Sequence, residues 1–223
     1  MVSKEDKILT EYKKLYVPAV SDAMDRLGLR PGFVTHEIRP ICPLNSVTTK
    51  IVGYACTMKV AESREAKGSE LLEEFKAFGS IKKNDVVVID AGGAWASSLW
   101  GQLLSTESKI RGAVGAVVDG PIRDTLTITE MGFPVFARGF VPSTSRYRMA
   151  FIGCGIPVMC GNIRVDQGDL VMGDIDGLVV VPKARIEAVL AEAKQVAIDD
   201  EWVLGQIKAG KTLAEIEQEK PVP

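Results

Sequence analysis

Arg123 and Asp124 are the residues most suited to chemistry, standing together at the end of VVDGPIRD (117–124). An arginine can clamp a carboxylate with two parallel hydrogen bonds, and an aspartate can hold a hard divalent cation. Neighbours on one loop can therefore address one ligand in two different ways. The plainer alternatives are a local ion pair, or Asp124 capping a helix. A second group comprises Ala91-Gly92-Gly93 and Trp100-Gly101-Gln102, on either side of a short segment. Glycines beside a helix start let a ligand reach backbone N–H groups, and the helix dipole favours an anion there. Gly92 and Gly93 could equally make a tight turn. A third group, Gln167 to Gly177, holds Asp169, Asp174 and Asp176. It lacks the regular ligand spacing of a calcium loop, and Asp and Gly between apolar runs are first of all turn formers. The single histidine, His36, lies in PGFVTHEIRPI and reads as an ordinary loop residue more readily than as a base.

Periodicity supplies the elements that must carry these residues. A helix is expected over 4–28, with Leu15, Val20, Met24 and Leu27 on one stripe, Asp22 and Arg26 as an ion pair, and Gly28 as a left-handed cap. Residues 46–59 read as a strand. Residues 66–79 read as a helix with Leu71, Leu72, Phe75 and Phe78 inward. The continuous apolar runs 85–90 and 113–118 read as strands covered on both faces. Between them a helical stretch places Leu99, Leu103, Leu104 and Ile110 roughly on one side. Asp119-Gly120-Pro121 reads as a turn, 124–131 as a short helix and 133–139 as a strand then a turn. Short strands are expected around 147–152, 156–160 and 176–181. A last helical region runs from 183 to about 218, interrupted near Gly205 and Gly210, with Thr212 to Glu215 as a capping box. The pattern implies one α/β domain with a mixed or two-sheet core. Neither the dinucleotide fingerprint nor the lysine-bearing phosphate loop is present.

Composition removes other classes. With 27 Lys plus Arg against 29 Asp plus Glu in 223 residues, the net charge is −2 and there is no basic excess for nucleic acid. No run of about 18 apolar residues exists to span a membrane. The start MVSKEDKILTEYKK lacks the apolar stretch of a signal peptide, so a cytoplasmic protein is expected. Cys42, Cys56, Cys154 and Cys160 have no ribbon or redox spacing and are expected to be buried thiols.

Taken in order, VSDAMDRLG (20–28), VVVIDAGG (86–93), WGQLLSTESKIRGAVGAVVDGPIRD (100–124), FPVFARG (133–139) and GDLVMGDIDGLVVVP (168–182) resemble the RraA-like family. That family includes the class II 4-hydroxy-4-methyl-2-oxoglutarate / 4-carboxy-4-hydroxy-2-oxoadipate aldolases. The resemblance covers about residues 14–182. It implies an α/β/β/α sandwich of the swivelling-domain type, with 1–182 as the catalytic domain and 183–223 as a helical extension packed on it or on a neighbour. It also implies a homotrimer or homohexamer with active sites between subunits, and Mg²⁺ or Mn²⁺ holding a 2-oxo acid. Arg123 would then contact the keto-acid oxygens, Asp124 would ligate the metal, and Gly101, Gln102, Leu103 and Leu104 would cradle the pyruvyl carboxylate.

Two positions depart from the aldolase pattern. Gln102 and Thr127 stand where acidic residues are usual, and neither can act as a carboxylate base. Glu130 lies one helical turn beyond Thr127. The implied activity is a metal-dependent lyase that releases pyruvate from a 4-hydroxy-2-oxo acid, with oxaloacetate decarboxylation as a side reaction. Two alternatives stay open. One is a hydratase, decarboxylase or isomerase of another hydroxylated or cyclic acid, which Gln102 and Thr127 favour. The other is a regulator that binds ribonuclease E.

Overall fold

A computed structural model describes residues 3–30, 32–41, 49–65 and 70–220. The β-branched run Asp85–Asp90 (β3) is buried at all six positions and lies at the centre of an eight-stranded mixed sheet. It is flanked in parallel by β2 (Ile51–Glu62) and β4 (Gly115–Ile122), and β4 by β5 (Val135–Phe140). The two-residue strand β1 (Arg39–Pro40) closes one edge against β5. The other side of the twelve-residue β2 carries two antiparallel partners, β6 (Met149–Cys154) on its C-terminal half and β9 (Leu170–Asp174) on its N-terminal half. β10 (Gly177–Val181) completes that edge against β9. A separate hairpin, β7 (Val158–Cys160) and β8 (Ile163–Val165), packs on the sheet.

Alternation along β2 separates the layers. Cys56, Met58 and Val60 meet a core with Phe78, Trp100, Ile128 and Phe133, beneath α3 (Glu70–Phe78), α4 (Gln102–Ile110) and α5 (Thr125–Glu130). Val52 joins α1 (Lys4–Tyr12), α2 (Val17–Arg26) and α6 (Ile186–Lys208). Ile51 and Ala55 face the other way, toward the hairpin and Val34 and Ile38. The result is the expected α/β fold, a mixed sheet with flanking helices. A last helix, α7 (Leu213–Glu219), starts at the expected capping box.

Several elements differ from the sequence reading for physical reasons. The single helix over 4–28 is two helices, because Pro18 starts α2 and Tyr16 before it is extended. Gly28 is left-handed as expected, at φ 70°. Arg26 pairs with Glu192 at 3.0 Å and Asp199 at 3.5 Å on α6, not with Asp22. Helix α3 turns Phe78 inward but leaves Leu72 and Phe75 exposed, and the side chain of Leu71 lies outside the described residues. Likewise α4 buries Ser105 and Ser108 and exposes Leu103 and Ile110. Asp119-Gly120-Pro121 is not a turn: β4 runs through it, with a register shift between Val118 and Pro121. Gly205 does not interrupt α6, which ends before the left-handed Gly210.

Candidate functional site

Strand β4 delivers Arg123 and Asp124 to the carboxyl end of the parallel strands, where ligands bind in open α/β sheets. The preceding segment is laced to the same strand end. Leu99 N donates to Pro121 O at 2.9 Å, and Arg123 N donates to Trp100 O at 3.0 Å. Trp100 anchors this segment in the core: it stacks on Phe133 and donates through Nε1 to Ser105 Oγ. Gly101 therefore sits directly against the Arg-Asp corner. A Cβ there would fall 2.7 Å from Asp124 Oδ2 and 3.3 Å from Arg123 Cγ.

Asp124 occupies the left-handed region at φ 59°, a conformation costly for a residue with a side chain. It stands at the N-cap position of α5, yet its carboxylate caps nothing there. Instead Oδ2 accepts from Gln102 N, the first amide of α4, at 3.0 Å. Asp124 therefore does not cap its own helix but satisfies the first amide of another. The ion-pair alternative is present in weak form: Arg123 Nε lies 3.6 Å from Asp124 Oδ2, with both side chains more than a third exposed. The next amides of that first helical turn, Leu103 and Leu104, have no intrahelical acceptor and add the positive end of the helix dipole. Gly101, Leu103, Leu104, Arg123 and Asp124 line one cleft of about 90 Å³, together with Glu74, Phe75 and Trp100. Gln102 joins through its backbone, its side chain being exposed.

Other candidates are placed elsewhere or used structurally. Gly92 and Gly93 have φ of 60° and 73° and form the tight turn. Their amides are engaged, Gly92 N with Asp90 Oδ1 and Gly93 N with Asp119 O. His36 is exposed and lines a different cavity with Asp22 and Asp176. Asp169 accepts from the amides of Asp166 and Lys183, and Asp174 from those of Val17 and Asp176, so these carboxylates tie turns and helix starts. Cys56 and Cys160 are buried free thiols, with burial pushing Cys56 up to about 11 and Cys160 higher still. Cys154 is only partly buried, and Cys42 lies outside the described residues. Glu130 is exposed and is not part of the cleft lining.

Two features escaped sequence reasoning. A row of charges crosses the hairpin face at the strand ends: Lys59, Asp90, Asp119 and Arg138. Asp90 accepts from Met159 N and Asp119 from Gly161 N, so the two buried carboxylates bind the hairpin to the sheet. Arg138 also pairs with Glu37. The second feature is Glu74, 7% exposed, with no hydrogen-bond or ion-pair partner among the described residues. Burial alone pushes its carboxyl up to about 7. Its place in ELLEEFK, beside Glu73, carries no sequence signal of burial. A larger cavity, about 580 Å³, opens at the opposite end of the sheet beside Asp85, Lys82 and Lys183, remote from Arg123 and Asp124.

A model of the RraA-like family (Aldolase/RraA) matches residues 17–180. This chain belongs to the RraA-like family. A protein of Halalkalibacterium halodurans, provisionally named 4-hydroxy-4-methyl-2-oxoglutarate aldolase, is 33% identical over 201 residues, covering 90% of this chain and 89% of the relative. Among solved structures, one described as a novel cellulase from gut-associated microbes superposes with a TM-score of 0.83 at 27% identity, covering 90% of this chain and 88% of the other. Another is Streptomyces coelicolor RraAS2, described as an unusual member of the RNase ES inhibitor RraA family. Its TM-score is 0.76 at 24% identity, over 92% and 96% of the two chains, a likeness of fold. Among the described residues no helix is long and apolar enough to cross a membrane.

Proposed function

We propose that this RraA-like protein is a divalent-metal-dependent lyase that cleaves a 4-hydroxy-2-oxo acid to release pyruvate, and decarboxylates oxaloacetate as a side reaction. The observation that carries this reading is the convergence of Arg123, Asp124 and the first amides of α4 on one cleft. C–C cleavage beside a ketone leaves an enolate, so the site must hold negative charge on two groups, the carboxylate and the enolate oxygen. The Leu103 and Leu104 amides suit the carboxylate. The Arg123 guanidinium, held against Gly101, suits the keto oxygen and the charge that develops there.

Among the described residues no group of three or more His, Cys, Asp or Glu could cage an ion. The donor set fits instead a largely hydrated Mg²⁺ or Mn²⁺ held by one carboxylate, that of Asp124. When bound, such an ion supplies positive charge that stabilises the enolate. The hydrogen bond from Gln102 N fixes the Asp124 carboxylate in place for this task.

A homo-oligomer accompanies this reading. Leu103, which lines the cleft, and Ile110 and Leu126 on the helices that flank it are 76%, 81% and 80% exposed, as expected if a second copy covers this face. We read 183–223 as an extension packed on the same domain, since Ile186, Val189, Ala193 and Val196 of α6 join its core. The test is turnover by R123A and D124A. Each variant is expected to lose at least 100-fold in pyruvate release while keeping its fold, and full activity in both would overturn the assignment.

A further inference from the structure

The Arg123–Asp124 corner holds an enolate but offers no base for the other half of the substrate. Retro-aldol cleavage requires removal of the proton on the 4-hydroxyl, and Gln102, an amide, cannot remove it. Among the described residues the cleft has one carboxyl outside the corner, that of Glu74 on α3. Glu74 is 7% exposed, makes no hydrogen bond or ion pair among the described residues, and shares the cleft wall with Phe75, Leu99, Trp100 and Leu104. A buried polar group without a partner is costly, and in a ligand cleft it marks a place where a partner arrives with the ligand.

Resting on the lyase reading above, we propose that Glu74 is the general base and acid of the reaction, acting on the 4-hydroxyl across the cleft from Arg123. Its carboxylate takes the O–H proton, and the O–H electron pair becomes the second bond of the new C4 carbonyl. The C3–C4 bond breaks and its electrons form the C2–C3 double bond of the enolate, with the negative charge on the C2 oxygen. The carbonyl product leaves. The Glu74 carboxyl then returns the proton to C3, which gives pyruvate and restores the carboxylate. No oxidant or further reactant is needed.

The surroundings suit this role. Among the described residues the other charged groups around the cleft are Arg123 and Asp124, and β6, which packs on α3, contributes only the titratable Cys154. No charge from these elements offsets the effect of burial on Glu74, so the carboxyl stays near neutrality, where a group both takes and returns a proton efficiently. Oxaloacetate has no hydroxyl to deprotonate, so loss of CO₂ leaves the Glu74 carboxylate with no proton to return, and the pyruvate enolate held at the Arg123 corner takes its C3 proton from water. The two substrates therefore separate the role of Glu74 from that of the Arg123 corner.

The experiment compares wild type, E74Q and E74D, each loaded with Mg²⁺ or Mn²⁺, on 4-hydroxy-4-methyl-2-oxoglutarate and on oxaloacetate. E74Q is expected to lower kcat for the hydroxy acid by 100-fold or more, with KM and oxaloacetate decarboxylation within about threefold of wild type. The wild-type kcat should rise with pH through about 7, and that limb should vanish in E74Q. Carbon-13 NMR of labelled glutamate should show one carboxyl titrating there in the wild type, a readout independent of turnover. Unchanged cleavage by E74Q overturns the proposal alone. Equal loss on both substrates assigns Glu74 a structural role and also overturns it. If E74Q does not fold, the wild-type pH limb and the E74D kcat decide in the same sense. No turnover of either substrate by wild type overturns the lyase reading, and this proposal with it.

Discussion

Replacing Gly101 by alanine should damage the site while leaving the fold intact. Gly101 has φ −164°, extended backbone that any residue adopts, so no strain accompanies the new side chain. The unfolded chain loses conformational freedom, which favours folding by about 0.4–1 kcal/mol. In the folded chain the methyl carbon would lie 2.7 Å from Asp124 Oδ2, whereas carbon and oxygen normally stay about 3.3–3.6 Å apart. The carboxylate must retreat by roughly half an ångström or more. It cannot do so while keeping its 3.0 Å hydrogen bond from Gln102 N. A hydrogen bond to a charged group contributes about 1.5–3 kcal/mol. Losing it in the reacting complex corresponds to a fall of about 10- to 100-fold in kcat/KM. The assay is pyruvate release alongside a thermal melt. Expected are a melting temperature within a few degrees of wild type and a loss of activity of that size. Full activity in G101A would refute the claim that Asp124 must sit where Gly101 allows it.

Other outcomes follow from the same geometry. Glu74 stays protonated in the folded chain up to about pH 7, whereas its ordinary value is 4.5. The wild type should therefore lose stability as pH rises from about 4.5 to 7. E74Q should match it at pH 4 and exceed it at pH 8 by up to about 3 kcal/mol, read by urea unfolding. Asp119→Ala would remove one of the two carboxylates that pair with Arg138, leaving Glu37, and would free Gly161 N. A loss of about 1.5–3 kcal/mol in urea is expected, and no measurable loss would contradict the anchoring role. Cys56 and Cys160, buried and held as thiols, should label with a maleimide at pH 8 only after unfolding, as mapped by peptide mass spectrometry.

Much of the fold was legible where burial imposes a pattern. The run Asp85–Asp90 has no polar interruption and became the central strand, and Thr212 with Glu215 marked a helix start by local chemistry alone. Misreadings arose where contacts distant in sequence override local signals. Asp119-Gly120-Pro121 has turn composition, yet Gly120 is in a strand because Leu99 packs where its side chain would be, with Leu99 Cδ1 2.4 Å from an added Cβ. Leu72, Phe75, Leu103 and Ile110 look like core residues, but the core side of their helices is set by Phe78 and by the small Ser105 and Ser108. Aspartates 169 and 174 do bound turns as read, but the short strand Leu170–Asp174 between those turns was not foreseen. At the site, Arg123 and Asp124 were visible because adjacent residues need no fold to bring them together. Their meeting with Gly101 and Gln102 depends on the backbone bond between Arg123 and Trp100, which no spacing reveals. Glu74 was invisible for the same reason, because its burial depends on a cleft assembled from three other segments.

The account stands most directly on one measurement: pyruvate release from 4-hydroxy-4-methyl-2-oxoglutarate by metal-stripped protein, before and after addition of Mg²⁺ or Mn²⁺, with D124A in parallel. Release that appears only with the metal, and fails in D124A, is the predicted result. Release that is indifferent to the metal and to Asp124, or no release under any condition, would contradict the assignment of this cleft as a metal-dependent lyase site.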